Sequence, residues 1–313
     1  MFSKKGVKRC ALRVTAGLVG LFVLGNEHLM AQQKHRTLAD EPVQVEQLPQ
    51  KNELIVAYYG RPGVESLGVL GQYPIQTLKP MIEKRAREYA GITGKDVRPG
   101  FDIIYGLASA EPGPRRDYII HLEHKKLKPY IEAAENEGFV LFLETQLGEH
   151  MPQDAIHHIL KYLKHHNVNL AIDPEFEVSD LNVRPGKKIG HVKAEWINRV
   201  QAIMDRYMRE NGIEEKKILL LHMFRNSMVE KKESLRHYDN IDLIFNLDGH
   251  GSPKLKVDIY NTIYTKRYAD KVAGGFKLFF KEDHPMMTPK QVMGMEHAQG
   301  AKIKHPPKLV NYQ

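Results

Sequence analysis

Residues 138–145, GFVLFLET, and 168–173, VNLAID, decide the fold. Each is a short run, apolar nearly throughout and rich in β-branched or aromatic side chains, that ends on a carboxylate: Glu144 in one, Asp173 in the other. Runs of this kind suit strands covered on both faces, as in a parallel sheet sandwiched between helices. Working outward, six more follow the same rule: ELIVAYY (53–59), FDIIYGLAS (101–109), KILLLHMF (217–224), IDLIFNLD (241–248), GFKLFF (275–280) and KLVNYQ (308–313).

Between these runs lie segments with helical spacing of apolar residues, near Thr77–Ala90, Tyr118–Asn136, Gln153–His165, His191–Asn211, Val229–Tyr238, Lys256–Ala269 and Thr288–Met293. Gly91, Gly138 and Gly212 follow three of them, where helices stop. Strands alternating with helices indicate α/β architecture. Eight strands over about 260 residues match a (β/α)8 TIM-type barrel. An open doubly wound sheet is the alternative, since periodicity does not reveal closure. The eighth strand is the last element read, with no closing helix after it.

The first 31 residues read as a secretion signal. Lys4, Lys5, Lys8 and Arg9 precede an apolar run from Ala11 to Gly25, and Leu29-Met30-Ala31 offers a cleavage point. The run is shorter than the roughly 20 residues a spanning helix needs. A secreted or periplasmic protein without a stable transmembrane span is expected, with an N-terminal membrane anchor as the alternative. Residues 32–52 are polar with two prolines and read as a linker or arm, which leaves 53–313 as the barrel domain. Cys10 is the only cysteine and lies in the signal. Disulfides, a thiol nucleophile and cysteine metal sites are therefore excluded from the mature chain. The net charge is +8, and half of the excess belongs to residues 1–31. The rest is interleaved with acids, a solvated surface and no nucleic-acid footprint.

Barrel enzymes place their chemistry where strands end. Here those ends carry Tyr58, Tyr59 and Arg61; Glu144 and Gln146; Asp173 and Glu175; His222; Asn246 and Asp248; and Tyr312. Alternation puts Glu144 with Gln146 on one side, likewise Asp173 with Glu175 and Asn246 with Asp248. Crowded carboxylates push their pKa values apart, which supplies an acid and a base at one pH. Glycosidic bond cleavage needs that pair. Glu144, Asp173 and Glu175 are the catalytic candidates. Tyr58, Tyr59, Arg61, Gln146, His222, Asn246, Asp248 and Tyr312 are candidates for holding substrate. A carbohydrate or cell-envelope polymer is the expected partner.

No metal or cofactor is expected. No His-Glu-x-x-His occurs, and the pairs His157-His158 and His165-His166 read as a solvated face. Gly249-His250-Gly251-Ser252 lacks the ending of a phosphate loop, and no Gly-x-Ser-x-Gly elbow is present. A non-catalytic glycan-binding barrel, and a metal-dependent hydrolase built on His222 with carboxylates, are the alternatives.

Asp173-Pro174-Glu175 resembles the strand-four ending of chitinase-like barrels of glycoside hydrolase family 18. That resemblance implies Glu175 as proton donor and Asp173 as its supporting partner. The preceding Asn169-Leu170-Ala171-Ile172 lacks the further aspartates and glycine of that motif, so a substrate-assisted mechanism is not implied. Over residues 54–313 the chain also resembles a family of uncharacterised secreted bacterial TIM barrels. It does so through Tyr-Tyr-Gly-x-Pro-Gly (58–63), Leu-Gly-Val-Leu-Gly (67–71), Phe-Asp-Ile-Ile (101–104), Asp-Pro-Glu-Phe (173–176), Pro-Gly-x-x-Ile-Gly (185–190) and Gly-Phe-Lys-Leu-Phe (275–279). This likeness implies a glycosidase-like barrel.

Overall fold

The computed structural model describes residues 53–313, apart from 114, 266 and 269. The signal and linker read in residues 1–52 lie outside the described residues. Eight parallel strands form the barrel: β1 (Glu53–Arg61), β2 (Asp96–Ala108), β3 (Val140–Gln146), β4 (Val168–Asp173), β5 (Lys217–Met223), β6 (Ile241–Leu247), β7 (Ala273–Leu278) and β8 (Leu309–Tyr312). Each pairs with the next, and β8 returns to β1 with Ile55 opposite Leu309 and Tyr58 opposite Tyr312. The sheet is therefore closed, a (β/α)8 barrel, and the open-sheet alternative falls. Among the described residues, no helix is long and apolar enough to cross a membrane.

Side-chain alternation divides the strands between two cores. One parity faces outward. Leu54, Val56, Phe101, Ile103, Leu141, Leu143, Leu170, Ile172, Leu219 and Leu221 join the helices in one large cluster. The other parity faces inward. Ile55, Ala57, Val140, Phe142, Ala171, Leu220, Ile244 and Leu309 fill the barrel as a separate apolar plug. Two residues further along the same strands, the inward side chains turn polar. That change of chemistry defines the floor of the site.

Four helices exceed two turns: α1 (Ile75–Thr93), α2 (His124–Glu137), α3 (Ala194–Glu210) and α4 (Pro253–Ile263). α3 shows why they form. Ala194, Ile197, Val200, Gln201, Met204 and Met208 recur at three- and four-residue spacing and are all buried. The other expected helices are corrected. Gln153–His165 is one helical turn followed by two 3-10 turns separated at Ile159. Val229–Tyr238 holds no α-helix: Lys231 adopts the left-handed conformation, and Val229–Glu230 pairs with Val192–Lys193 instead. Thr288–Met293 is a single capped turn. The start of Tyr118–Asn136 is a short strand, Ile119–His121, added antiparallel to β2. α1 runs through Gly91, and Gly94, at φ 65°, takes the left-handed cap.

Gly100 sits in the plug layer of β2. A Cβ there would lie 2.7 Å from the Val140 carbonyl oxygen on β3. The missing side chain lets the two strands approach beneath the site. Gly100→Ala is expected to destabilise the barrel by about 1–3 kcal/mol through overpacking. Urea unfolding measures this, and an unchanged midpoint would show that the strands separate without cost.

Candidate active site

The polar layer above the plug receives one side chain from each strand. Tyr59, Asp102, Glu144, Asp173, His222, Asn246, Lys277 and Asn311 come from β1 to β8 in order, and all are buried. Most lie two residues beyond a plug residue: Ala57 leads to Tyr59, Phe142 to Glu144, Ala171 to Asp173, Leu220 to His222, Ile244 to Asn246 and Leu309 to Asn311. In β2 and β7, glycines at 100 and 275 hold the equivalent places below Asp102 and Lys277.

His222 is the hub. Its Nε2 lies 3.2 Å from Asp102 Oδ2 and 3.2 Å from Glu144 Oε2, and its Nδ1 lies 3.2 Å from Asp248 Oδ2. Burial disfavours a charged ring, but Glu144, Asp102 and Asp248 outweigh it and hold the pKa well above the ordinary value. These neighbours favour the imidazolium form. Asn311 Nδ2 donates to Asp102 Oδ2 at 2.6 Å, and the Tyr59 hydroxyl donates to Glu144 Oε1 at 3.1 Å. Lys277 Nζ stands 3.3 Å from the centroid of the Tyr59 ring and 3.9 Å from Asp248 Oδ2. It adds a cation–π contact to its role as counter-charge.

The carboxylates divide by environment. Burial pushes Glu144 up, His222 opposes and Asp102 adds to it, and the result is a pKa of about 7. Burial, then the charges of Glu144 and Asp248, raise Asp173 well above its ordinary value. Burial also works against ionised Asp248, yet its hydrogen bond to His222 and the nearby Lys277 prevail and lower its pKa. The surroundings thus favour the protonated form of Asp173 and the ionised form of Asp248, with Glu144 between them. Glu175, half-buried on the turn after β4, is raised first by burial and then by Asp248. Its backbone N–H donates to Asp173 Oδ1 at 2.9 Å. Around His222, five buried acceptors have no hydrogen-bond partner among the described residues: Asp102 Oδ1, Glu144 Oε2, Asn246 Oδ1, Asp248 Oδ1 and Asn311 Oδ1.

The structure brings together Tyr59, Glu144, Asp173, His222, Asn246 and Asp248, with Glu175 adjoining. It separates four other sequence candidates from them. Tyr58 and Tyr312 have the outward parity and join the helical cluster, where the Tyr312 hydroxyl meets that of Tyr89 at 2.8 Å. Arg61 faces structural work, donating to the carbonyls of Ile104, Tyr105 and Ile120 at 2.8–3.1 Å. Gln146 Oε1 accepts the Ala108 N–H at 2.8 Å and ties the end of β2. Asp102, Lys277 and Asn311 were missed because they lie within the apolar runs. An isolated charge or amide at inward parity in such a run was the available signal.

Two sets of side chains among the described residues bring ligand-type atoms within 4.8 Å of one another. They are Asp102, Glu144 and His222 in the barrel, and Glu177, Asp180 and His191 on the loop after β4. In the barrel set, both nitrogens of His222 hydrogen-bond to carboxylates. No family model matches the chain, and no curated protein matches it.

The raised pKa of Glu144 has a consequence for stability. A carboxyl that binds its proton more tightly when folded favours the folded state at low pH. That contribution is lost as pH rises from the ordinary value of 4.5 through about 7. Glu144→Gln removes this dependence. Relative to wild type, the variant is expected to gain roughly 3 kcal/mol between pH 4.5 and pH 7.5. Chemical denaturation at both pH values checks this, and a pH-independent difference would show that Glu144 has the same pKa folded and unfolded.

Proposed function

We propose that this protein is an exported hydrolase of glycosidic bonds, working at the C-terminal mouth of its barrel. The observation that carries the reading is the convergence of Glu144, Asp173 and Asp248, at the ends of β3, β4 and β6, around His222, in surroundings that push their pKa values in opposite directions. Acid and base are available together at neutral pH, as hydrolysis of an acetal requires.

The roles follow from position. Glu175, the least buried carboxyl of the group, gives its proton to the glycosidic oxygen as the bond to the anomeric carbon breaks. Asp173 supports it by fixing the turn through the Glu175 N–H. Glu144, when ionised, faces the positive charge that develops at the anomeric carbon, as base toward an attacking water or as nucleophile. Water supplies the hydroxyl of one product, and its proton restores the acid. The acid/base division resembles the strand-four arrangement of family 18 barrels, with Glu144 in place of a substrate group.

A polyhydroxyl ligand suits this site for two further reasons. The unpartnered acceptors of Asp102, Asn246, Asp248 and Asn311 call for O–H donors. A cleft of about 290 Å³ also opens at the same end of the barrel, lined by Tyr73, Phe280, Glu65, Gln72 and Gln313 among others. Tyr73 and Phe280 are 44% and 40% exposed, as rings that stack on sugar faces must be. Export through the signal in residues 1–31 would bring the site to cell-envelope and extracellular polymers.

Reducing-sugar release from a panel of soluble and cell-wall polysaccharides tests the reading. Glu144→Gln and Glu175→Gln are each expected to lower kcat by about 10²–10⁴-fold. Full activity in both variants would overturn the assignment.

A further inference from the structure

A second cluster of charged side chains lies outside the barrel mouth. The loop after β4 leaves the 3-10 turn Pro174–Phe176 and reaches α3 through the two-residue strand Val192–Lys193. That strand pairs in parallel with Val229–Glu230 from the loop after β5, with Lys193 opposite Glu230. The pairing brings His191 beside Glu230. The earlier part of the loop adds Asp180 and Glu177.

The spacing within the cluster is informative. His191 Nε2 stands 3.4 Å from Asp180 Oδ2 and 3.4 Å from Glu230 Oε1. Both separations exceed the 2.7–3.2 Å of an N–H···O hydrogen bond. The His191–Asp180 separation equals the edge of a tetrahedron of ligands around an ion with bonds of about 2.0–2.1 Å, roughly 3.3–3.4 Å. Glu177 offers a carboxylate oxygen within 4.8 Å of the Asp180 and His191 ligand atoms.

Glu177 supplies an independent observation. Its side chain is wholly buried. Oε1 accepts from the backbone N–H of Ser179 at 3.1 Å and from the Ser179 hydroxyl. Oε2 is buried and has no hydrogen-bond partner. A buried carboxylate oxygen left in this state is costly unless a cation or a proton meets it.

We propose that Glu177, Asp180 and His191 form a binding site for a divalent transition-metal cation, with zinc as the best fit. One imidazole and two carboxylates suit zinc or manganese, whereas calcium favours an all-oxygen shell. Glu177 is the buried anchor. Asp180, with 44% of the side chain exposed, leaves a route from solvent. The ion would fix Glu175, whose carbonyl accepts the Gly190 N–H at 2.7 Å, next to His191. The site stands independently of the hydrolytic reading.

The test is zinc titration of the purified full chain after chelator treatment and desalting, by calorimetry with parallel thermal melts. One equivalent is expected to bind with Kd below roughly 1 µM and to raise Tm. Glu177→Gln and His191→Ala are each expected to weaken binding about 100-fold or more, with circular dichroism showing that both fold. Asp102→Asn, in the barrel, is expected to leave zinc binding unchanged. Wild-type titration curves in both loop variants would overturn the proposal. So would loss of binding in Asp102→Asn alone, which places the ion in the barrel, or binding to wild type only at millimolar zinc.

Discussion

Charge inside a barrel has to be balanced where it stands, because water is not there to screen it. Asp102, Glu144, Asp173 and Asp248 place four acids in one layer, against the cations of His222 and Lys277. The shortfall is met by protons, and the sites that keep them are set by neighbours. Asp248, next to both cations, is held toward the ionised form, Asp173 toward the protonated form, and Glu144 lies between. The plug of Ile55, Phe142, Leu220 and Ile244 below keeps water out, and the Tyr59 and Asn311 donors orient the carboxylates from the sides.

The strand ends serve two different purposes, although their residues look alike in sequence. Arg61 and Gln146 satisfy backbone groups where β2 and its added strand stop hydrogen-bonding to their neighbours. Lys256 and Asp283 form a buried pair at 3.0 Å, and Asp283 also receives the N–H groups of Gly251 and Phe279. These side chains hold the loops after β6 and β7 in place. The His222 cluster differs in gathering five buried acceptors without donors in one place.

The fold was legible because the strands are buried on both faces. Their apolar runs stand out from the amphipathic helices, and all eight were found within a few residues. Closure was not legible, because the pairing of β1 with both β2 and β8 leaves no mark in either strand's composition. The helix at Val229–Tyr238 was misread because its spacing is helical while tertiary pairing with Val192–Lys193 prevails locally. The site was half legible. Glu144, Asp173 and His222 were visible at the ends of runs. Asp102, Lys277 and Asn311 were hidden within theirs, and Tyr58 and Tyr312 were placed at the mouth although their parity points outward.

The central claim is that the barrel mouth divides protons among its carboxylates near neutral pH. Side-chain carboxyl ¹³C shifts of Asp and Glu, followed by NMR from pH 4 to pH 9, address this most directly, with Glu144→Gln used to assign its signal. The account predicts a Glu144 midpoint near 7 and an Asp173 resonance still protonated at that pH, while Asp248 is ionised from the start of the titration. Complete ionisation of all these groups by about pH 5, near the ordinary carboxylate range, would contradict it.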